Sequence, residues 1–394
     1  MNASMTNTTK AGAAPGDDDA LIRFNDEQAM LLESAVAFAR EQSTIADVRR
    51  RMELPDGFEP ALWQRIVELG WPAIAVPERF GGAGLTLAEV ATVAEPMGRH
   101  LMAGPFASTQ QFVQALLASG DEALQAAWLP RVRDGAIGTV AVFEADGDWD
   151  LTRVDARATR RDDVLELSGE KTLVCDAAIA DAVFASVALD GEPALVLLTR
   201  DQLDDKRLRR DIVIDETRRV YDLTLDGLGV PVSSAITGAP ARTALAMIRA
   251  SAQLIASAEA AGGIAGVLDV VLPYLNTRSA FGRKIGGYQA LKHGCAEILV
   301  CLERSRSHVA HAATVLGAAG DAEVALRMAK VEACDGLMFA GDRAVQFHGG
   351  FGFTWDCDAH LYLRRALWLQ SLHGDSAHHR AWLADRLLGA VSGG

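Results

Sequence analysis

The sequence predicts an α+β protein: an N-terminal helical domain, a middle antiparallel β domain and a C-terminal four-helix bundle. Apolar residues recur with a period near 3.6 in the first and last parts of the chain, which indicates helices that bury one face. Between these parts lie short β-rich runs separated by turn residues. We place the domains at residues 21–134, 135–236 and 237–394, and we expect residues 1–20 to form a disordered tail.

Composition limits the class of protein. The 394 residues are 49% hydrophobic, which is enough for a large core. The chain has 38 Lys and Arg against 52 Asp and Glu, and the net charge of −14 repels nucleic acid and anionic membranes. Its five cysteines show no metal-ligand spacing. We therefore expect a cytoplasmic protein that binds a small molecule, without a metal or a nucleic acid partner.

The N-terminal domain is predicted from residue 25 onward. Residues 1–20 are rich in Asn, Thr, Ala, Gly and Asp, and they lack the apolar segment of a signal peptide. Apolar residues such as Leu31, Val36 and Phe38 then recur at near-helical spacing, and the pattern continues to about residue 133. The Gly-rich stretch Pro77–Gly84 is predicted to be a loop between helices.

The middle domain is predicted from runs of β-branched and apolar residues. In Val164–Ser168 apolar and polar side chains alternate, as in a strand with one wet face. The predicted strands are Thr139–Phe143, Val164–Leu167, Thr172–Cys175, Ala182–Val187, Ala194–Thr199 and Ile212–Ile214.

A long apolar helix is predicted to open the C-terminal domain. Leu245, Ile248, Ala252 and Ile255 lie three or four residues apart on one stripe. Charged and polar residues interrupt the apolar run, so we expect no membrane span. Two further helices complete the bundle, near Leu291–Leu316 and Ala322–Phe347.

Three glycines, Gly262, Gly263 and Gly266, follow on the same helix. Glycine costs about 1 kcal/mol relative to alanine in a helix interior, so such a group indicates that another backbone or a flat ligand comes very close. Tight helix packing alone is the alternative.

Two C-terminal motifs have the chemistry that a dinucleotide requires. A pyrophosphate needs a cation and backbone N–H donors, whereas adenine and ribose need hydrogen bonds and a flat wall. An arginine supplies the charge, a phenylalanine the wall, two glutamines the hydrogen bonds, and glycines a turn and close backbone approach. These candidate cofactor-binding residues are Arg278, Phe281, Gly282, Gln289, Gln346, Gly349 and Gly350.

Together with Leu372–Asp375, these motifs resemble the flavin-binding half of an acyl-CoA dehydrogenase, and the resemblance extends from Asn25 to Leu388. It implies FAD as cofactor, an acyl-CoA thioester as substrate, and an electron-transfer flavoprotein or similar acceptor. It also implies a dimer or tetramer in which the residues of the two motifs reach the adenosine end of FAD held by the neighbouring subunit.

The sequence departs from this family at the expected catalytic centre. The family reaction removes the proton α to the thioester carbonyl, coupled to hydride transfer from the β carbon to the flavin, and a carboxylate acts as base. The usual base position is His373, and a second position used by some members is Ala252. Leu173 and Cys175 replace the Trp and Thr that contact the flavin ring. Asp375 replaces a threonine near FAD, where an anion opposes the pyrophosphate.

His373 is the candidate catalytic residue, because a neutral imidazole can accept a proton. The alternative is an ordinary loop histidine in a solvated run with His378 and His379. Glu259 lies two helical turns after Ala252 on the same face and is a third candidate base. Otherwise it is a helix-interior carboxylate paired within the bundle.

A basic cluster in the middle domain invites assignment to the phosphates of CoA. Acidic neighbours favour a mixed-charge surface instead. The cluster comprises Lys206, Arg207, Arg209, Arg210, Arg218 and Arg219.

Three functional hypotheses remain. In the first, the chain is the non-catalytic partner in a heteromeric bacterial acyl-CoA dehydrogenase, a branch that Gly352–Trp355 and Gly374–Arg380 resemble. In the second it is a self-sufficient dehydrogenase with His373 as base, and in the third a helical scaffold without a cofactor. The residues that serve a neighbour's cofactor are kept, whereas those that serve the chain's own flavin ring and base are changed. This asymmetry favours the partner role.

Overall fold

Three structural regions follow one another along the chain. The computed structural model describes residues 26–204, 206–316 and 322–389. Helices come first, strands occupy the middle and helices return at the end, which confirms the predicted α+β class. The predicted tail, residues 1–20, lies outside the described residues.

Side-chain caps determine where several N-terminal helices begin. The Thr86 hydroxyl accepts a hydrogen bond from the Ala88 N–H at 3.1 Å, and Glu89 accepts one from the Thr86 N–H at 2.8 Å, which forms a capping box. Asp121 caps another helix by accepting from the Leu124 N–H at 2.9 Å. The helices of this region are α1 (Asp26–Gln42), α2 (Ile45–Met52), α3 (Pro60–Glu68), α4 (Leu87–Arg99), α5 (Phe106–Ser119) and α6 (Glu122–Arg133).

The strands of the middle region are β1 (Gly138–Ala141), β2 (Arg157–Arg161), β3 (Val164–Ser168), β4 (Glu170–Cys175), β5 (Ala182–Leu189), β6 (Glu192–Thr199), β7 (Leu208–Asp211), β8 (Val220–Thr224), β9 (Leu228–Pro231) and β10 (Ala235–Ile236). They form two sheets. The larger has the order β10-β6-β5-β2-β3-β9, with β1 also beside β5, and the smaller has the order β4-β8-β7. The β1–β5 and β2–β5 pairs are parallel, and the other pairs are antiparallel.

The prediction of a strand at Ile212–Ile214 is wrong. The strand lies earlier, at β7, because its pairing with β8 ends where Asp211 faces Val220. Beyond that point Ile212 and Ile214 have no partner strand among the described residues, and both side chains are exposed. Strands β2, β8, β9 and β10 were not predicted. In β2 a single side chain is buried, so its sequence carries little of the apolar alternation that marks a strand.

The C-terminal region is a helical bundle around α7 (Gly238–Thr277), which packs against three of the helices that follow it and against two N-terminal helices, α4 and α5. A short hairpin follows α7. The remaining elements are β11 (Ser279–Ala280), β12 (Arg283–Lys284), α8 (Gln289–Leu316), α9 (Ala322–His348), α10 (Ala359–Ser371) and α11 (Ser376–Leu388).

The glycines of α7 are explained by helix packing. A Cβ on Gly262 would lie 1.8 Å from the carbonyl oxygen of Glu95 on α4. On α4, a Cβ on Gly98 would lie 2.0 Å from the carbonyl oxygen of Glu259 on α7. The backbones of α4 and α7 therefore touch, and this face leaves no room for a flat ligand.

Helix α7 is long and apolar enough, by length and composition, to cross a membrane despite its polar interruptions. In the most apolar 18-residue stretch of this helix, 83% of the residues are buried inside the protein. A helix surrounded on all sides by protein is apolar all round for that reason, and we assign α7 to the core.

Candidate functional site

A groove at one end of the bundle gathers residues of both C-terminal motifs. It encloses about 710 Å³ where α7 ends, the hairpin turns and α9 gives way to a 3₁₀ turn at Gly349–Phe353. Four predicted cofactor residues line it: Arg278, Gln346, Gly349 and Gly350. The other lining residues are Tyr274, Ala280, Ile285, Phe347, His348 and Phe351.

Backbone geometry shapes this groove. After α7 the chain reverses through a two-residue turn, in which Phe281 and Gly282 have φ values of 52° and 79°. Positive φ at both turn residues is typical of the type I′ turns that join antiparallel strands. Gly349, with φ of 61°, lets the chain leave the end of α9. The two motifs, distant in sequence, are brought together because α7 and α9 pack side by side.

One wall of the groove is a stacked aromatic pair. The rings of Tyr274 and His348 are 4.1 Å apart between centroids and inclined by 28°. Nδ1 of His348 lies 2.7 Å from the carbonyl oxygen of Ala344, so this nitrogen carries the proton that it donates. The ring orientation is thereby held, and the groove gains a rigid flat side.

Gly350 has no steric reason within the chain to be a glycine. Its φ is not in the left-handed region, and a Cβ there would meet no atom of the described residues within 4 Å. Space is equally open around Gly349. Because Arg278 lines the same groove, backbone N–H groups and a positively charged residue are offered together. The groove therefore fits the phosphate and adenosine part of a dinucleotide.

Three predicted cofactor residues lie outside the lining of the groove. Phe281 is 96% exposed at the tip of the hairpin, next to Gly282. Gln289 is exposed at the first residue of α8. An exposed phenylalanine at a hairpin tip is suited to contact a second molecule rather than its own chain.

A second cavity lies between the β region and the bundle. Its volume is about 40 Å³, well below the roughly 300–1,000 Å³ of ordinary ligand pockets. Cys175, Asp176, Ala252, Glu259 and Leu372 line it, so both family base positions lie in or next to this cavity. The other lining residues are Ala107, Ser108, Gln111, Arg218, Arg219, Ile255, Ala256, Trp368 and Leu369.

Two carboxyl groups line this cavity, and both have partners. Glu259 accepts a hydrogen bond from Arg218 of the β region at 2.5 Å and lies 3.7 Å from Arg365 on α10, so it is paired within the bundle, as one alternative proposed, and also with the β region. Asp176 accepts from the Ser108 hydroxyl at 2.6 Å, and burial raises the pKa of its carboxyl group. Sequence reasoning missed Asp176, although it directly follows Cys175 at the end of a predicted strand.

The surface interpretation of the basic cluster is wrong for two of its members. Arg219 is buried and donates to backbone carbonyl groups of the loop after α2. The Arg218 side chain is 13% exposed; burial lowers its pKa, but the charges of Glu259 and Asp215 outweigh burial and leave the pKa raised. The segment that carries these arginines can enter the interior because its buried charges are paired there, Arg218 with Glu259 on α7 and Asp215 with Arg365 on α10.

Comparisons with known proteins identify the family. The model for the acyl-CoA dehydrogenase N-terminal domain matches residues 25–136, and the model for the C-terminal domain matches residues 241–388. Acyl-CoA dehydrogenase IpdE2 of Mycolicibacterium smegmatis is 30% identical over 345 residues, which are 87% of this chain and 93% of that protein. The chain belongs to the acyl-CoA dehydrogenase family.

Solved structures share the acyl-CoA dehydrogenase fold. A variant of the Tcur3481–Tcur3483 steroid acyl-CoA dehydrogenase is 26% identical, with a TM-score of 0.82 over 93% of this chain and 99% of that one. The ChsE4–ChsE5 complex from Mycobacterium tuberculosis has a TM-score of 0.84 at 22% identity, over 94% and 100% of the two chains. The chain is thus a member of a family of flavoprotein oxidoreductases that act on the CH–CH bond of acyl-CoA thioesters.

The position that the resemblance assigns to the catalytic base is buried in this chain. His373 is 5% exposed, its ring centroid lies 4.8 Å from that of Phe143, and its Nδ1 has no hydrogen-bond partner among the described residues. Burial, together with the charges of Lys330 and Arg249, lowers the pKa of His373 to about 3. The expectation of a solvated histidine run is therefore wrong for His373 and for the fully buried His379, because α11 packs back against α9.

A buried lysine holds the backbone next to this acyl-CoA dehydrogenase base position. Lys330 on α9 is 1% exposed, and its Nζ donates to the carbonyl oxygens of Leu369 at 2.7 Å and Gly374 at 3.2 Å. Asp375 begins α11 as its N-cap and accepts from the His378 N–H at 2.7 Å. The Asp375 carboxylate thus has a structural partner at the helix start, where a negative charge is favourable.

The family's flavin-ring wall is altered. Leu173, at the position where the resemblance expects a tryptophan, has a left-handed backbone with φ of 53°, which is uncommon for leucine. Cys175 replaces the threonine and lines the small cavity, where burial raises the pKa of its thiol to about 12. Cys175 is therefore a neutral thiol at physiological pH.

Proposed function

We propose that this chain is the non-catalytic partner subunit of a heteromeric acyl-CoA dehydrogenase. It lends its groove to FAD held mainly by a sister subunit that carries the catalytic glutamate. The contrast between the two sites carries this proposal: the groove of about 710 Å³ is open, whereas the cavity at the base position has a volume of about 40 Å³. When bound, FAD supplies the hydride acceptor of the family reaction.

The groove has the parts needed for the nucleotide end of FAD. Arg278 would offer its guanidinium group to phosphate oxygens, and the backbone at Gly349 and Gly350 is open to close approach. The exposed Phe281 and Gln289 are available to a cofactor in another subunit. A role for these residues toward a neighbour accounts for their exposure in the single chain.

Neither of the base candidates predicted from the sequence that carry a titratable side chain, His373 and Glu259, is suited to remove the α proton. A general base works best when its pKa is near the operating pH, and a pKa of about 3 makes His373 a far weaker base than free histidine. Glu259 is held in an ion pair with Arg218. The second hypothesis, a self-sufficient enzyme with His373 as base, is therefore disfavoured.

The relatives support a heteromer and a bulky substrate. The ChsE4–ChsE5 structure is a complex, and the Tcur3481–Tcur3483 enzyme is a steroid acyl-CoA dehydrogenase. By similarity, we infer a cytoplasmic assembly that acts on a bulky acyl-CoA, such as one with a steroid side chain, and passes electrons to an electron-transfer flavoprotein or similar acceptor.

The visible absorbance of the purified protein tests the partner role. We expect the chain alone to be colourless and to retain flavin only when coexpressed with a glutamate-bearing dehydrogenase subunit of the same organism. In that assembly Arg278→Ala should weaken flavin retention by about ten- to a hundredfold, because a charge-assisted hydrogen bond contributes about 1.5–3 kcal/mol. Arg283→Ala is the matched control, since Arg283 stacks on Tyr288 and lies outside the groove lining.

The other hypotheses predict different results. Stoichiometric flavin in the chain alone, bleached by an acyl-CoA and no longer bleached after His373→Asn, would establish the self-sufficient enzyme. A chain that forms no flavin-containing assembly with any glutamate-bearing subunit would favour the scaffold.

A further inference from the structure

We propose that the segment Asp215–Arg218 plugs the acyl cavity of this chain through buried ion pairs to α7 and α10, so that this subunit does not accept an acyl chain. The inference extends the proposed function, and it rests on that function for the expectation that substrate binds only in the sister subunit. The segment precedes β8 in the middle region and enters between two helices of the bundle.

The first half of the plug is fixed to α10. Asp215 is 1% exposed and accepts a hydrogen bond at 2.5 Å from Arg365, which is itself fully buried. A second nitrogen of the Arg365 guanidinium donates to the Thr217 hydroxyl at 2.7 Å. One arginine on α10 thus holds two residues of the segment.

The second half is fixed to α7. Arg218 and Glu259 pair at 2.5 Å, with side chains 13% and 6% exposed. Arg365 lies 3.7 Å from the same Glu259 carboxylate, so the two ion pairs form one network. Arg218 and Glu259 also line the small cavity, so the ion-pair network forms part of the cavity wall.

The charges of the network balance without a ligand. Two guanidinium groups, Arg218 and Arg365, face two carboxylates, Asp215 and Glu259. Burial raises the pKa of the neighbouring Asp176 and so favours its neutral form, which needs no positively charged partner. An acyl chain would have to displace paired ions from a site in which they are already desolvated, and separating a buried pair is strongly unfavourable.

The network is imperfectly hydrogen-bonded, which points to a role other than stability. Nε of Arg218 and Nη1 of Arg365 are buried and have no hydrogen-bond partner among the described residues. Buried ion pairs are often no more stable than apolar residues of similar volume. The cavity walls around them are otherwise suited to an acyl chain, since Ala252, Ile255 and Ala256 line it from α7.

Calorimetric titration of the isolated full chain with octanoyl-CoA and with CoA tests the plug. We expect wild-type protein to bind octanoyl-CoA no more tightly than CoA. The variant Arg218→Ala/Glu259→Ala removes one pair, leaves the net charge unchanged and keeps Arg365 paired with Asp215. It should bind octanoyl-CoA at least about tenfold more tightly than CoA, because an acyl chain gains apolar contacts that CoA lacks.

The control variant removes an ion pair elsewhere on the same helix. Arg99→Ala/Asp269→Ala breaks a pair between α4 and α7 that does not line the cavity, and it should show no gain. The plug would be refuted by a tenfold preference of wild-type protein for octanoyl-CoA, by no gain in the cavity variant, or by an equal gain in the control. If the cavity variant does not fold, the comparison of octanoyl-CoA with CoA on wild-type protein still tests the plug.

These titrations require neither flavin nor a sister subunit. Acyl-dependent binding by wild-type protein would therefore overturn the plug while leaving the flavin test of the partner role unaffected. Conversely, a coexpressed assembly that retains no flavin would overturn the partner role without changing the outcome of the titrations.

Discussion

His373 leads to a quantitative prediction about pH. Burial and the nearby charges of Lys330 and Arg249 lower its pKa to about 3 in the folded chain, against about 6.5 in an unfolded chain. Between these values the unfolded chain binds a proton that the folded chain does not, so the free energy of unfolding decreases as the pH falls below about 6.5. One pKa unit corresponds to about 1.4 kcal/mol, so a drop from pH 7 to pH 5 costs roughly 2 kcal/mol through His373 alone.

The variant His373→Asn isolates this contribution. Asparagine has no titrating group in this range, and it tolerates the left-handed backbone at this position, where φ is 56°. From pH 7 to pH 5, we expect wild-type protein to lose roughly 2 kcal/mol more free energy of unfolding than the variant. Urea unfolding followed by tryptophan fluorescence, at one fixed protein concentration, measures the difference. His311→Asn removes an exposed histidine on α8 and serves as the control.

Equal losses in wild-type protein and His373→Asn would refute the argument. They would mean that the folded chain protonates His373 as readily as the unfolded chain does. The imidazole would then be accessible and basic enough to reconsider as a proton acceptor.

Three further predictions concern single substitutions. Gly262→Ala should destabilise the chain by about 1–3 kcal/mol or more, because its Cβ would lie 1.8 Å from the carbonyl oxygen of Glu95, and thermal unfolding measures this loss. Gly350→Ala meets no neighbouring atom, so it should change stability by less than about 0.5 kcal/mol while weakening flavin retention in the coexpressed assembly; unchanged retention would contradict the groove assignment. Lys330→Met should cost about 1–3 kcal/mol in urea unfolding, since it leaves buried carbonyl groups without their donor, and an unchanged midpoint would contradict that role.

Much of the architecture follows from local patterns. The predicted helices near Leu291–Leu316 and Ala322–Phe347 correspond to α8 and α9 within a few residues, because apolar periodicity is a property of neighbouring positions. Polar strands such as β2 were missed, since a strand with a single buried side chain is stabilised by its partners rather than by its own sequence. The domain boundaries placed at residues 134–135 and 236–237 remain predictions.

The candidate site was predictable only in part. The sequence indicated that Arg278 and Gln346 serve one site, and the fold places both in one groove, although their role toward FAD remains a proposal. Phe281 and Gln289 lie outside that groove, and their role toward a cofactor in a second subunit remains a prediction. Asp176 was missed because nothing in its local sequence shows that it is buried beside Ser108.

The amino-acid sequence alone determined the order of helical and β regions, the residue types offered to a nucleotide, and the lack of a carboxylate at position 373. These features are local or chemical, so they can be read without knowing which residues meet. Tertiary structure alone decided that His373 is buried and that Arg218 pairs with Glu259, 41 residues away, beside a small cavity. Burial and ion pairing depend on which distant segments pack together, and it is this packing that leaves one site open and the other closed.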